Sequence, residues 1–257
     1  MNAIAEALGR FEKRFLRTVW NYFKFVWELF KNIPGAFSNL HTTVEQMHRV
    51  GVTSIPVVFA ASLATGAIMS WQLAYQFGDM IPMMFVGMAV GKSVMVELCP
   101  ILTPMVLAGR IGASMCSELG TMAVTEQLDA YKVLGLNPYK FLLAPRLIAT
   151  VIMLPTLTVI SIFIGIAGGY EVAHLYKEVS WSVFFYGVRM FYHNWDLVVG
   201  LIKATLYGYF ISSYACFFGF FTHSGAEGVG KSTKATVVAG MTSILIGGFT
   251  LSKLLLV

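Results

Sequence analysis

Apolar residues form long blocks along this chain, and short segments that carry most of the charge separate them. No Asp, Glu, Lys or Arg occurs in residues 50–78, 147–170 or 204–226. A helix needs about 20 apolar residues to cross about 30 Å of hydrocarbon, and each block is long enough. The pattern predicts five membrane-spanning helices, at about residues 52–76, 82–108, 143–168, 196–221 and 235–256.

The N-terminal segment has a different pattern, with apolar and basic positions on different faces of one helix. In residues 10–31, aromatic and aliphatic side chains recur at helical spacing, and Lys and Arg fall between them. Such a helix can lie at a bilayer boundary with its cations on anionic head groups. We therefore predict an interfacial helix that ends at Pro34 and Gly35; packing on a soluble partner is the alternative. The chain then divides into this helix with its connector, residues 1–50, and a five-span domain, residues 51–257.

Composition agrees with a chain that crosses a membrane. Hydrophobic residues make up 57% of the chain and charged residues 12%, against about 25% charged residues in soluble domains. The net charge of +5 suits either nucleic acid or a membrane surface, and the apolar blocks favour the membrane. The predicted fold class is therefore an all-α integral membrane protein with no nucleic-acid partner. The cysteines and histidines are scattered without metal-ligand spacing, so we expect no metal site.

The distribution of Lys and Arg predicts the orientation of the spans. Residues 1–50, 110–146 and 222–234 together hold thirteen of these cations, whereas the opposite loops hold few. Cytoplasmic loops carry the excess of Lys and Arg. We expect a cytoplasmic N-terminus and, after an odd number of spans, a C-terminus on the far side.

One segment matches a nucleotide-binding motif by its letters alone. Residues 225–232 read GAEGVGKS, which fits the phosphate-loop pattern. That mechanism requires a buried strand before the loop and a helix after it, within a soluble unit. Because predicted spans flank the segment on both sides, we expect a flexible cytoplasmic loop with two lysines and no nucleotide.

The segment between the second and third predicted spans is locally acidic, which is unusual for a cytoplasmic face. Glu118, Glu126 and Asp129 lie in it, and Ser117 or Thr121 could cap a short helix there. A short polar helix that is not basic favours docking to a protein over binding to anionic lipid. A solvated loop helix is an equal alternative from the residues alone.

The second predicted span carries two ionisable residues, Lys92 and Glu97. A charge near the middle of a membrane costs about 2.5–3.5 kcal/mol on insertion scales, so Glu97 should face a cavity or a partner. The two side chains lie about 140° apart on an ideal helix, which makes them a poor mutual pair. A structural hydrogen bond between helices is the alternative role for Glu97. We expect the Lys203 side chain to extend to the membrane boundary and to have little role in function.

A long specific run of residues then carries a family resemblance. It consists of Glu97-Leu98, Pro100, Ala108-Gly109-Arg110, Gly112, Glu118-Leu119-Gly120-Thr121-Met122, Val124-Thr125-Glu126-Gln127, Asp129-Ala130, Pro138 and Pro145-Arg146. This run resembles the MlaE-type (YrbE-type) permeases of MCE lipid transporters. The order of the predicted helices agrees with that of these permeases over nearly the whole chain. Val96 and Cys99 stand where the family usually has Arg and Gly, which puts any role of an Arg–Glu pair in doubt.

The resemblance implies a permease subunit of an ATP-driven (ABC) transporter in a bacterial inner membrane. It implies a homodimer with a central cavity open toward the periplasm, while the sequence alone leaves open a dimer of two related chains. A separate ATPase would bind ATP and Mg on the cytoplasmic side, so this chain would need no cofactor and would not itself be an enzyme. A periplasmic ring of MCE-domain subunits would exchange phospholipid with the cavity, and residues 118–130 would be the coupling helix that docks in the ATPase.

These implications give two sets of expected site residues. Candidates for the lipid cavity, formed by the first, second and fifth spans, are Gly66, Met69, Leu73 and Glu97. Candidates for ATPase coupling are Glu118, Leu119, Thr121, Met122, Thr125, Glu126 and Asp129.

Two other classes of function compete with this interpretation. A proton-coupled secondary transporter or a channel could use Glu97, and it would predict more buried charge and broken helices in paired halves. A membrane-embedded enzyme would need converging catalytic side chains. His174, His193 and Asp196 lie in the outer loop, but no nucleophile motif accompanies them.

Overall fold

Eleven α-helices run through the part of the chain that the structure, a computed structural model, describes. That part comprises residues 2–37, 40–78 and 82–256, and side chains are described from residue 16 onward except at 35–37. No strand occurs in these ranges. The helices are α1 (Asn2–Phe37), α2 (Leu40–Val50), α3 (Ile55–Phe77), α4 (Met84–Ser93), α5 (Cys99–Leu107), α6 (Ala113–Val124), α7 (Gln127–Val133), α8 (Ala144–Lys177), α9 (Trp181–Met190), α10 (Asn194–Phe220) and α11 (Gly225–Leu256).

Five helical rods within these ranges are long and apolar enough to cross a membrane, which confirms the predicted all-α membrane fold and its five spans. The rods run longer than predicted because adjoining polar residues are also helical. Span two is α4, α5 and α6 joined end to end by π-helical turns at Val94–Leu98 and Ala108–Gly112. The full rods are Leu40–Phe77, Met84–Val124, Tyr139–Lys177, Asn194–Phe220 and Gly225–Leu256.

The predicted end of the first helix at Pro34 is wrong. Helix α1 continues through Pro34 to Phe37, and the polar stretch after it forms α2. A proline inside a helix removes one donor, and here the carbonyl that loses its partner belongs to Phe30. Phe30 itself is about half exposed.

One stripe of side chains on α1 packs against the ends of spans three and four. Phe25 and Leu29 are buried there, and Tyr22 Oη shares a 2.8 Å hydrogen bond with Ser213 Oγ. Burial raises the pKa of the Tyr22 phenol far above its ordinary value, and the Ser213 hydrogen bond offsets only part of this effect. The opposite stripe exposes Trp20 and Trp27. An interfacial position for α1 stays a prediction that this pattern suits.

Spans one and three pack at the closest approach that small residues allow. A Cβ atom on Gly66 would overlap the backbone carbonyl of Gly165. Beside this contact, Ser161 Oγ accepts 2.7 Å hydrogen bonds from both Ser62 Oγ of α3 and Thr103 Oγ1 of α5. Small and hydroxyl-bearing residues let helices approach and bond in lipid.

Helix α9 was not predicted. It lies in the loop between spans three and four and packs on α4, where a Cβ on Gly87 or on Gly187 would strike the backbone of the other helix. Phe184 of α9 is fully buried at this contact. The helix has only ten residues, too few for a span and too apolar to read as an ordinary loop.

Replacing Gly66 with leucine should disrupt the contact between spans one and three. The added side chain meets backbone rather than a movable side chain, so we expect destabilisation of at least about 1–3 kcal/mol. Thermal unfolding of the purified protein in detergent measures the effect. Ala64→Leu, on the exposed face of α3, is the matched control, and equal melting temperatures for the two variants would contradict the assigned packing.

Candidate functional site

A lysine ammonium is buried where spans two, four and five meet. Lys203 of α10 has no exposed surface. Its Nζ atom donates hydrogen bonds to Glu97 Oε1 at 2.9 Å, to the carbonyl of Val96 at 2.9 Å and to Ser252 Oγ at 2.8 Å. Ser252 Oγ also lies 2.6 Å from Glu97 Oε1 and donates to it. The ammonium therefore joins all three spans through one polar cluster, within a predominantly apolar bundle.

The backbone of span two supplies one of these acceptors because of a proline. In a regular helix the carbonyl of Val96 would accept from the N–H of residue 100, but Pro100 has none. The helix widens here into the π-helical turn Val94–Leu98. Such turns are rare and frequently occur at functional sites. Lys203 satisfies the carbonyl that Pro100 leaves available.

Glu97 also faces a cavity of about 630 Å³ at the start of α10. Its side chain is 37% exposed, and Oε2 receives no hydrogen bond from any residue that the structure describes. Lys92 lines the same cavity and pairs with Asp196, with 3.3 Å between Nζ and Oδ2. The remaining wall is mixed in character and includes Ser93, Val96, His193, Trp195, Leu255 and Leu256.

The geometry corrects one prediction about charge. Lys203 does not extend to the membrane boundary; it is buried and holds Glu97. The signal in the sequence was a lysine within a span together with Pro100, which frees a carbonyl four residues earlier. Lys92 and Glu97 line the same cavity, but each makes its ion pair with another residue.

The other three cavity candidates lie elsewhere. Gly66 packs on Gly165, while Met69 and Leu73 pack against a buried cluster that spans two and three share. None of the three lines the cavity beside Glu97. The structure therefore places only Glu97 of the four candidates at this cavity, and the other three at helix contacts.

At the other end of span two, Glu118 connects three helices. Its Oε2 atom lies 2.9 Å from Arg49 Nη1 of α2, and its Oε1 atom lies 2.9 Å from Arg146 Nη2 of α8. The Arg146 side chain is only 5% exposed, whereas the Arg49 side chain is 53% exposed. Glu118 therefore links α2 and α8 within the chain, and both of its carboxylate oxygens already form ion pairs.

The expected single helix at residues 118–130 is wrong in its bounds. Helix α6 carries span two on to Val124, Glu126 adopts a left-handed backbone with φ of 60°, and α7 begins at Gln127. Leu119 and Leu128 are both buried. Nine residues correspond to about 2.5 helical turns, so a straight helix would point these two leucines in opposite directions. The break at Glu126 lets both be buried.

The candidates for ATPase coupling separate into two groups. Leu119 is fully buried, Met122 is partly buried, and Glu118 forms ion pairs within the chain. Thr121, Thr125, Glu126 and Asp129 are exposed. Sequence reasoning missed the most exposed apolar residues of this region, which are Val133, Leu134 and Leu136, with Val133 87% exposed.

The phosphate-loop lookalike is helical, and its prediction as a flexible loop is wrong. Its residues form the first turns of α11, where Lys231 pairs with Glu227 at 2.7 Å. The preceding segment is the end of α10 and not a strand. The phosphate-loop mechanism requires a strand, then a loop, then a helix, and these residues form no such loop.

Comparison with known proteins places the chain in a family. The family model described as Permease MlaE matches residues 43–254. The chain belongs to the MlaE permease family. A probable ABC transporter permease protein of Synechocystis sp. is 37% identical over 213 residues, which cover 83% of this chain and 81% of that protein. One of Rickettsia prowazekii is 32% identical over 251 residues, covering 98% and 97%.

A plant relative of this MlaE permease comes from the chloroplast. The protein TRIGALACTOSYLDIACYLGLYCEROL 1 of Arabidopsis thaliana is 33% identical over 211 residues, which cover 82% of this chain and 60% of that protein. Together with the five spans, these relatives identify the chain as a multi-pass membrane protein and an ABC transporter permease. These findings support a subunit of an ABC transporter over a secondary carrier or a membrane enzyme.

Removing Glu118 should destabilise the MlaE permease more than removing Arg49. Glu118→Ala leaves the buried Arg146 without its carboxylate, so we expect a loss of about 1–3 kcal/mol. Arg49→Ala removes an exposed cation, which should cost less than about 1 kcal/mol. The free energy of unfolding in detergent separates the two outcomes. Equal losses would show that the buried Arg146 does not depend on Glu118.

Proposed function

We propose that this MlaE permease is the membrane subunit of an ATP-driven lipid transporter in a bacterial inner membrane. It would move phospholipid between that membrane and a periplasmic ring of MCE-domain subunits. ATP and Mg would bind to a separate ATPase subunit, so this chain would hold no cofactor. The observation that carries the proposal is the polar cavity beside Glu97, which lies within a bundle of apolar spans.

The cavity has chemistry that suits a phospholipid head group. Lys92 brings an ammonium that can attract phosphate. Glu97 Oε2 has no donor among the described residues and can accept from an amine or a hydroxyl. Trp195, Leu255 and other apolar side chains can cover the glycerol and the first acyl carbons. Lys203 is a positioning residue in this proposal, because it fixes Glu97 without facing the cavity.

The name of a relative supports a lipid as the transported molecule. The Arabidopsis protein is named after trigalactosyldiacylglycerol, a lipid with a polar head and two acyl chains. Lipids of this kind share with phospholipids the combination of a hydroxyl-rich or charged head and an apolar body. A cavity that places polar groups beside apolar helix faces suits that combination.

The proposed dimer would use the least covered spans. The most apolar windows of spans one and five are only 22% buried within this chain, against 50% for spans two and four. Ile68 of α3 and Phe249 of α11 are among the large exposed residues. A second permease copy or lipid would cover these faces, and a cavity shared by two copies would lie between them. We place the N-terminus in the cytoplasm and the C-terminus in the periplasm.

The proposed ATPase contact is the segment around α7. It presents the exposed acids Glu126 and Asp129 next to exposed Val133 and Leu134. An apolar projection with an acidic flank is the kind of surface that docks into a groove of another protein. Span two runs as one rod of 41 residues from Met84 to Val124, about 60 Å long, and it carries Glu97 on the way. A push on α7 would therefore reach the cavity along this rod.

Lipid retention tests the head-group site. Permease purified with Glu97→Gln, or with both Glu97→Gln and Lys203→Met, should retain several-fold less co-purified phospholipid per protein than the unchanged chain. The double variant removes both charges, so it keeps the bundle free of an unpaired ion. Lys253→Met removes an exposed lysine of the same span as Ser252 and is the control. Unchanged phospholipid in the double variant would refute the proposed site.

Co-purification of the ATPase tests the docking surface. Leu134→Asp, in a tagged permease isolated from membranes, should release most of the ATPase, because it places a charge on an exposed apolar contact. Charge reversal at Glu126 and Asp129 should act in the same direction. Leu175→Asp, an equally exposed leucine near the other end of span three, is the control. ATPase retained by Leu134→Asp at the level of the control would exclude this surface.

A further inference from the structure

A second cavity, of about 900 Å³, lies at the opposite end of α10 from Glu97. The first cavity adjoins Trp195 and Asp196, near the start of α10, whereas the second adjoins Phe217 and Phe218, near its end. Helix α10 has 27 residues and is therefore about 40 Å long. The two cavities thus lie on opposite sides of a bilayer-sized distance, and no part of the proposed transport uses the second one.

One face of α1 lines this cavity with charged and polar side chains. Arg17, Asn21, Lys24 and Glu28 follow one another at spacings of three or four residues, so they lie along one stripe. Lys24 and Glu28 are about 6 Å apart along the helix axis, and Arg17 and Lys24 about 10 Å. His223, after α10, adds a further nitrogen donor or acceptor.

The charges on this stripe make no ion pairs within the described chain. No ion pair within 4.0 Å joins Arg17, Lys24 or Glu28 to each other or to another described residue. Lys24 only lies over the ring of Trp20, with Nζ 5.4 Å from the centroid. Two cations followed by one anion therefore remain available to a ligand, in an order that the helix fixes.

Aromatic rings form another part of the wall of the cavity. Phe25 lies 5.5 Å from Tyr139, 5.6 Å from Phe217 and 5.9 Å from Phe221, measured between ring centroids. All four residues line the cavity together with Phe218. Ring faces attract organic cations such as alkylammonium groups, and the carboxylate of Glu28 adds to that attraction.

We propose that this cavity binds the head group of a zwitterionic aminophospholipid, such as phosphatidylethanolamine, from the leaflet next to α1. Its phosphate lies between Arg17 and Lys24, and its ammonium lies between Glu28 and the aromatic wall. The acyl chains extend toward the exposed apolar stripe of α1 that contains Trp20 and Trp27. An anionic lipid without an amine leaves the Glu28 end unsatisfied, so the charge order selects the zwitterion. This site does not depend on what the transporter carries.

Binding of short-chain lipids to the full-length permease in detergent tests the site. Native mass spectrometry gives the dissociation constants for dihexanoyl phosphatidylethanolamine and dihexanoyl phosphatidylglycerol. The ethanolamine lipid should bind more tightly. The pair Arg17→Ala and Lys24→Ala should weaken its binding by about tenfold or more, which is the loss of charge-assisted hydrogen bonds to phosphate. Glu28→Gln should abolish the preference for the ethanolamine lipid while it leaves the glycerol lipid unchanged.

Two controls make the result specific to this cavity. Lys31→Ala removes another α1 lysine that lies over a tryptophan but does not line the cavity, and it should not change binding. Glu97→Gln should leave this binding intact, so failure of the proposed transport site would be seen separately. Equal affinity for the two lipids, tighter binding of the glycerol lipid, or an equal effect of Lys31→Ala and of the paired change Arg17→Ala with Lys24→Ala would overturn the proposal.

Discussion

The ammonium of Lys203 has no contact with solvent, so the groups around it must balance its charge. A buried charge with one partner removed costs several kcal/mol, and here three acceptors from two spans surround the ammonium. Because Val96 and Glu97 belong to span two and Ser252 to span five, the position of Lys203 in span four fixes all three relative to one another. The cavity beside Glu97 exists in this form only while the cluster holds.

Span two connects this cluster with the far end of the molecule. The same rod that carries Glu97 also carries Glu118, and Glu118 holds two arginines from spans one and three. The rod is therefore fixed at Glu97 and at Glu118 by charges that reach neighbouring helices. The rod departs from regular geometry at two π-helical turns: Val94–Leu98, which contains Glu97 itself, and Ala108–Gly112, which lies between Glu97 and Glu118. An axial push at α7 would meet the Ala108–Gly112 turn before it reached Glu97.

The structural features that depend on the local residue pattern could be predicted from the sequence. Those that depend on contacts between residues far apart in the chain could not. The five spans follow from apolar length alone, and so does the position of the phosphate-loop lookalike between two predicted spans. The role of Lys203 could not be read in the same way, since its carboxylate partner lies 106 residues away. The break at Glu126 lets both Leu119 and Leu128 be buried, and α1 continues past Pro34 although proline usually ends a helix. Both facts require the packed structure.

A double-mutant cycle on Glu97 and Lys203 measures the central interaction most directly. The free energy of unfolding in detergent would be determined for the unchanged permease, for Glu97→Gln, for Lys203→Met and for the two together. The account predicts a coupling energy of about 1–3 kcal/mol, with the double variant less destabilised than the sum of the single variants. Additive losses within about 0.3–0.5 kcal/mol would contradict it, because they would show that the two charges do not depend on each other.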